Sequence, residues 1–130
     1  MILKVTSVFN RVVNRTVRFD VKNTDFEVEL VAGDSAPKIY FTCVGSDGLP
    51  INLSGANVFF AFKQPGDIAA VNADKSCDVT APLSGVAVYS LKPADILRPG
   101  TYFGDVYIAS GPIVETAPDA IRFVVRGSNK

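Results

Sequence analysis

Chemistry in this chain would have to come from carboxylates or thiols, because its 130 residues contain no histidine. That removes the commonest general base and the commonest transition-metal ligand together. Cys43 and Cys77 are the only cysteines. Far apart in sequence and without histidine, they offer too few soft ligands for a structural zinc site. Cys43 alternates with apolar residues and reads as a small buried hydrophobe. A Cys43–Cys77 disulfide would need an oxidising compartment, so both thiols are expected to be reduced. Among the carboxylates, Asp67, Asp74 and Asp78 bracket one long polar stretch, and Asp34 and Asp47 sit near turns. Loop oxygens of this kind suit calcium, but the spacing of a calcium loop is absent, and Asp is by default a turn and cap residue. A glycosidase pair of carboxylates would need a cleft, for which a small sandwich has little room. Phosphate-loop, nucleophile-elbow and dinucleotide motifs are absent. The expectation is a protein that is not an enzyme and carries no cofactor and no metal.

The remaining candidates for function are apolar. In the run 57–63, Phe60 and Phe62 share one face of a strand and Phe59 takes the other; Tyr102 and Tyr107 likewise point opposite ways. Phe59, Phe103 and Tyr107 are either partly covered by the amino-terminal segment or form an exposed patch that binds a partner. Val8, Phe9, Val12 and Val13 fit one face of a short helix or two short strands, the β-branched residues favouring strand or extended arm, and they complete this candidate interaction surface.

These side chains must be positioned by one domain, given the length. Formal net charge is zero with both signs interspersed, so there is no basic tract for nucleic acid and no basic amphipathic helix for a membrane surface. No run approaches the roughly 20 apolar residues of a membrane-spanning helix. The first seven residues, MILKVTS, lack the apolar core and cleavage site of a signal peptide, so synthesis in the cytoplasm is expected.

Period-two alternation then marks the strands. Val17, Phe19 and Val21 alternate with charges, as do Phe26, Val28 and Leu30. As a hairpin these would pair Val21 with Phe26, Phe19 with Val28 and Val17 with Leu30; the alternative sends each run to a different sheet. Before them, in the two-strand reading of residues 1–16, the chain turns near Asn10-Arg11 or Asn14-Arg15. Strands follow at 39–44, 57–63, 77–80, 85–91, 102–109 and 121–126, with a helical turn at 92–97 begun by Pro93. The stretch 67–76 is small, polar and aperiodic, and reads as a surface loop. Tyr102, just after Pro99-Gly100, resembles the tyrosine corner of immunoglobulin-like sandwiches, in which the hydroxyl bonds upstream backbone. About seven to nine short strands between Gly, Pro, Asp and Asn clusters define an all-β, immunoglobulin-like antiparallel β-sandwich. The division expected is residues 1–25 as an amino-terminal arm or extra strands, 26–126 as the sandwich and 127–130 as a frayed end.

Beyond this physical reading, the order of motifs resembles a known family. Asp47-Gly48-Leu49-Pro50-Ile51-Asn52-Leu53-Ser54-Gly55-Ala56 leads into an apolar strand. Cys77-Asp78-Val79-Thr80, then Gly85-Val86-Ala87-Val88-Tyr89-Ser90-Leu91, then Pro93-Ala94-Asp95 and Pro99-Gly100-Thr101-Tyr102 follow in turn. The series is similar to the amino-terminal immunoglobulin-like domain of phage baseplate upper proteins. It spans 26–126 and is strongest over 47–107. The resemblance implies a virion structural protein of the tail or baseplate, with other virion proteins as partners, homo-oligomerisation in the particle, and the positioning of host-recognition components. The alternative function is a carbohydrate-binding or adhesive surface module, which predicts an exposed aromatic row.

Overall fold

The computed structural model describes residues 2–9, 12–13, 16–17, 29–33, 38–45, 48–117 and 120–128, with only the backbone path at 2–5, 8–9, 12–13, 16–17 and 29. Eleven strands lie among the described residues. They are β1 (Ile2–Phe9), β2 (Val12–Val13), β3 (Thr16–Val17), β4 (Glu29–Val31), β5 (Lys38–Gly45) and β6 (Asn57–Lys63), then β7 (Asp78–Ala81), β8 (Val86–Ser90), β9 (Gly100–Ser110), β10 (Ile113–Thr116) and β11 (Ile121–Arg126). No helix among the described residues is long and apolar enough to cross a membrane.

Two mixed sheets build an all-β sandwich. One has the order β1-β5-β8-β7. Its inner residues are the ones that alternation selects: Ile39, Phe41 and Cys43 of β5, and Ala87 and Tyr89 of β8, are all fully buried. The second sheet centres on β9. β6 pairs along one edge, from Asn57 opposite Ala109 to Lys63 opposite Phe103. β10 and β11 follow one another along the other edge, opposite residues 107–110 and 100–104. The Ala117 amide still donates to the Val106 carbonyl at 3.0 Å between them. β4 adds to β11. Phe60, Phe62, Tyr102, Val106, Phe123 and Val125 form the inner face of this sheet and pack on the first, with Phe60 5.0 Å from Phe41 and Tyr102 stacked on Phe123 at 5.2 Å.

Two pairings are parallel: β1 with β5, and β4 with β11. Alternation fixes which face a strand presents and leaves its direction open, so only the antiparallel pairings were expected. Val12–Val13 pairs with Thr16–Val17, in keeping with a turn near Asn14-Arg15. The expected Val17–Leu30 rung is replaced, since Val17 lies opposite Val12 and Leu30 opposite Val125. The rungs Val21–Phe26 and Phe19–Val28 lie outside the described residues. β10 was unread in the sequence, although Gly111-Pro112 followed by Ile-Val is a turn leading into β-branched residues. β1 falls in the segment expected as an arm or extra strands, and it extends the first sheet with Leu3 opposite Ile39 and Phe9 opposite Gly45.

The described part of the crossing between sheets runs over Gly48–Ala56. The Ile51 amide donates to the Cys43 carbonyl and the Leu53 amide to the Pro82 carbonyl, both at 2.9 Å, burying Ile51 and Leu53 as the chain passes from β5 to β6. Gly85 lies directly beneath this crossing at φ +71°, where an added Cβ would sit 2.5 Å from the Cys43 carbonyl oxygen. Only glycine fits both the backbone conformation and the space.

Candidate functional site: the outer face of the β9 sheet

Because successive side chains of a strand alternate between faces, burying Phe60, Phe62, Tyr102 and Val106 turns Phe59, Ala61, Phe103, Asp105 and Tyr107 outward. Register arranges them in rows. Asn57 lies opposite Ala109, with Val114 on its far side; Phe59 lies opposite Tyr107, with Thr116 beyond; Ala61 faces Asp105; and Lys63, Phe103 and Arg122 share one row. Phe59 and Tyr107 stack at 5.0 Å with a 20° interplanar angle and are half-buried. Phe103 is 41% exposed, and Ile113 and Val114 on the β10 hairpin are each 61% exposed. Val114 shares this face, whereas Ile113, opposite Ser110, alternates onto the other; Phe59, Tyr107 and Val114 group towards the hairpin, and beyond the Ala61–Asp105 row Phe103 stands between Lys63 and Arg122.

Of the candidate surface residues, Phe59, Phe103 and Tyr107 come together on this face. Val8 and Phe9 lie on β1 in the other sheet, and Val12 and Val13 on β2; their side chains lie outside the described residues.

Two of the candidate carboxylates, Asp67 and Asp74, have structural partners. The Asp67 carboxylate accepts from Arg98 at 2.7 Å and from the Gln64 amide at 3.1 Å; the Arg98 hydrogen bond, then the Gln64 one, hold it below the usual carboxylate range. Asp74 accepts from the Ser76 amide at 3.0 Å, which is the first cause of its lowered pKa. Both act as turn residues. Among the described residues no three of His, Cys, Asp and Glu gather closely enough to hold a metal ion. Burial, and then the neighbouring Cys43, push the Cys77 thiol up to about 12, so it stays protonated and weakly nucleophilic at neutral pH. The Tyr102 hydroxyl donates to the Arg98 carbonyl at 2.6 Å, the contact that its place after Pro99-Gly100 suggested.

Sequence reading missed a polar cluster inside the sandwich. Residues 71–77 run along the edge of β6 that β9 leaves open: the Val71 amide bonds the Phe62 carbonyl, the Phe60 amide bonds the Lys75 carbonyl and the Cys77 amide bonds the Val58 carbonyl. Fully buried Asn72 fills the gap with its side chain, accepting from the Phe62 amide at 3.2 Å and donating to the Phe60 carbonyl at 2.7 Å. Its Nδ2 also lies 3.1 Å from the Tyr89 hydroxyl, which reaches Asp95 Oδ2 at 2.7 Å. The same oxygen accepts from the Lys92 amide at 3.1 Å. Burial, and then the hydrogen bond to Asp95, raise the Tyr89 pKa above the usual phenol value. Asn72 stands in a stretch without periodicity, so nothing in its surroundings distinguished it from a surface asparagine. The cluster ties the two sheets together.

The described residues form an all-β sandwich with Phe59, Phe103 and Tyr107 on one outer face. No protein-family model matches the chain, and no curated protein matches it. Among solved structures it is similar to the N-terminal domain of phage TP901-1 ORF48, with a TM-score of 0.63 and 14% identity over 96% of this chain and 98% of that one. At that identity the likeness shows the fold.

Proposed function

We propose that this chain is a phage virion structural protein of the tail or baseplate, without catalytic activity, that works by protein–protein assembly and positions host-recognition components. The observation that carries this reading is the near end-to-end fold similarity to a phage protein domain. The turn series over 47–107, which resembles phage baseplate upper proteins, points the same way. The contact surface is the outer face of the β9 sheet, with Phe59, Phe103 and Tyr107 at its centre. Residues 1–25, including Val8, Phe9, Val12 and Val13, serve as a second contact to a neighbouring subunit in a homo-oligomer.

The test is to tag the chain in the phage that encodes it and to probe purified particles. Detection in the tail or baseplate at a defined copy number, with loss of complete tails when the chain is deleted, is the expected result. Absence from purified particles would overturn the reading. Light scattering of the purified chain reports the oligomer separately.

A further inference from the structure

Three loops meet at one end of the sandwich. Hydrogen bonds tie the crossing to the end of β5 and to the helical turn Pro82–Ser84 after β7: the Gly45 amide donates to the Leu49 carbonyl at 3.0 Å and the Leu53 amide to the Pro82 carbonyl at 2.9 Å. The crossing delivers the chain to Asn57, opposite Ala109 and so beside the β9–β10 hairpin turn, where Ile113 lies opposite Ser110. Each loop presents one large apolar side chain next to a proline, in Leu49-Pro50, Pro82-Leu83 and Pro112-Ile113. Leu49 and Leu83 are 63% and 74% exposed, and Ile113 is exposed as well. The described residues of the three loops, 48–57, 81–86 and 109–114, include no Lys, Arg, Asp or Glu. Asp47, the one charged residue in the sequence from 45 to 57, lies outside the described residues. The opposite end carries charge beside its exposed apolar residues: Ile68 follows Asp67 and Leu97 precedes Arg98, and these two charges pair at 2.7 Å.

Resting on the homo-oligomer proposed above, we infer that this uncharged end is a contact between two copies of the chain, laid end against end across a two-fold axis. Such a contact uses the same patch on both subunits, so a charge near its centre faces its own like charge. Loops without charge escape that repulsion. They also offer a charged partner nothing to pair with and no field to steer its approach. Homodimer interfaces are the more apolar class, with charge depleted at their centre, and this end has that composition. The three prolines fix φ beside each apolar residue, so little loop freedom is lost on docking. β1 also ends here, with Phe9 opposite Gly45, and β2 begins three residues later. The amino-terminal contact to a neighbouring subunit therefore falls at the same end.

The experiment is sedimentation velocity of the full chain over a concentration series, beside Leu83→Glu, Leu83→Lys, Leu49→Glu and, from the opposite end, Ile68→Glu. The expected result is a wild-type equilibrium between one chain and two. Either sign of charge in place of Leu83, and Glu in place of Leu49, weakens it about ten-fold or more, at least one decade in Kd. Ile68→Glu leaves it unchanged. The wild-type association persists in about 1 M sodium chloride, where the screening length falls to about 3 Å. Wild-type amide NMR shifts away from the loops show that each variant is folded. A wild-type chain that stays single at every concentration, association that Leu83→Glu leaves unchanged, tighter association with Leu83→Lys, or dissociation in the salt would each overturn the inference. Particle incorporation is scored independently, so a chain present in virions that fails these tests refutes this inference alone. Absence from virions refutes the virion role whatever the association.

Discussion

The Tyr89 hydroxyl lies 2.7 Å from Oδ2 of buried Asp95 and 3.1 Å from Nδ2 of fully buried Asn72. One phenol therefore joins the β8 strand, the segment that closes β6, and the helical turn Pro93–Ile96 that leads to β9. Tyr89→Phe keeps the ring contacts with Phe60 and Phe62 but leaves a buried carboxylate and a buried amide each short of a partner. The expected loss is about 1–3 kcal/mol, read as a lower urea midpoint at constant slope. Once the hydroxyl is gone, Asp95→Ala should add less than it does alone, and strictly additive effects in the double-mutant cycle would contradict the coupling.

Asn72→Ala uncovers two backbone groups of β6, the Phe62 amide and the Phe60 carbonyl. It also removes the hydrogen bond to Tyr89, so the expected destabilisation is about 2–4 kcal/mol. Hydrogen exchange gives a sharper readout: the Phe62 amide should lose protection while the amides of β11 keep theirs. Unchanged protection at Phe62 would show that another group closes that edge.

Alkaline conditions should destabilise the fold ahead of general tyrosine ionisation. Burial raises the Cys77 thiol from its ordinary 9.0 to about 12. Between those values the unfolded chain gives up a proton that the folded chain retains. The contribution is intact below pH 9 and is lost as pH climbs through the window towards 12. Tyr89, also raised, acts with the same sign above the ordinary tyrosine value of 10.0. Cys77→Ala should flatten the early part of the decline in a pH series of urea melts. An unaltered slope would mean that the thiol is not the group being titrated.

Gly55 in the crossing and Gly85 beneath it separate conformation from space. Gly55, at φ +75°, has nothing within 4 Å of an added Cβ, so Gly55→Ala should cost about 1–2 kcal/mol, the left-handed penalty alone. Gly85→Ala adds a clash with backbone oxygen to the same penalty, and should cost about 3 kcal/mol or more. Similar losses in both variants would mean that the crossing segment shifts easily.

Much of this architecture was legible because burial writes a period of two. The runs over 39–44 and 57–63 gave β5 and β6 with their inner residues, and the Pro-Gly turn before Tyr102 gave the hydroxyl contact to Arg98. What resisted reading was pairing. Nothing in Glu29-Leu30-Val31 says that these residues lie parallel to β11, since partner and direction depend on chain elsewhere in the molecule. The outer surface was half legible: Phe59, Phe103 and Tyr107 could be assigned outward from alternation, but the row that sets Lys63 and Arg122 on either side of Phe103 needed the register of three strands. Asn72 was illegible because its role is to replace a strand rather than to belong to one.

The β4–β11 pairing sets a schedule for the newborn chain. Leu30 leaves the ribosome well before its neighbour Val125, with most strands of both sheets made between them. Contacts so distant along the chain close slowly, and until they close β4 has no ladder to join. During synthesis the early strands must therefore wait with apolar surface uncovered, the period in which such chains most readily aggregate. The second sheet is therefore complete only when β11 arrives to receive β4.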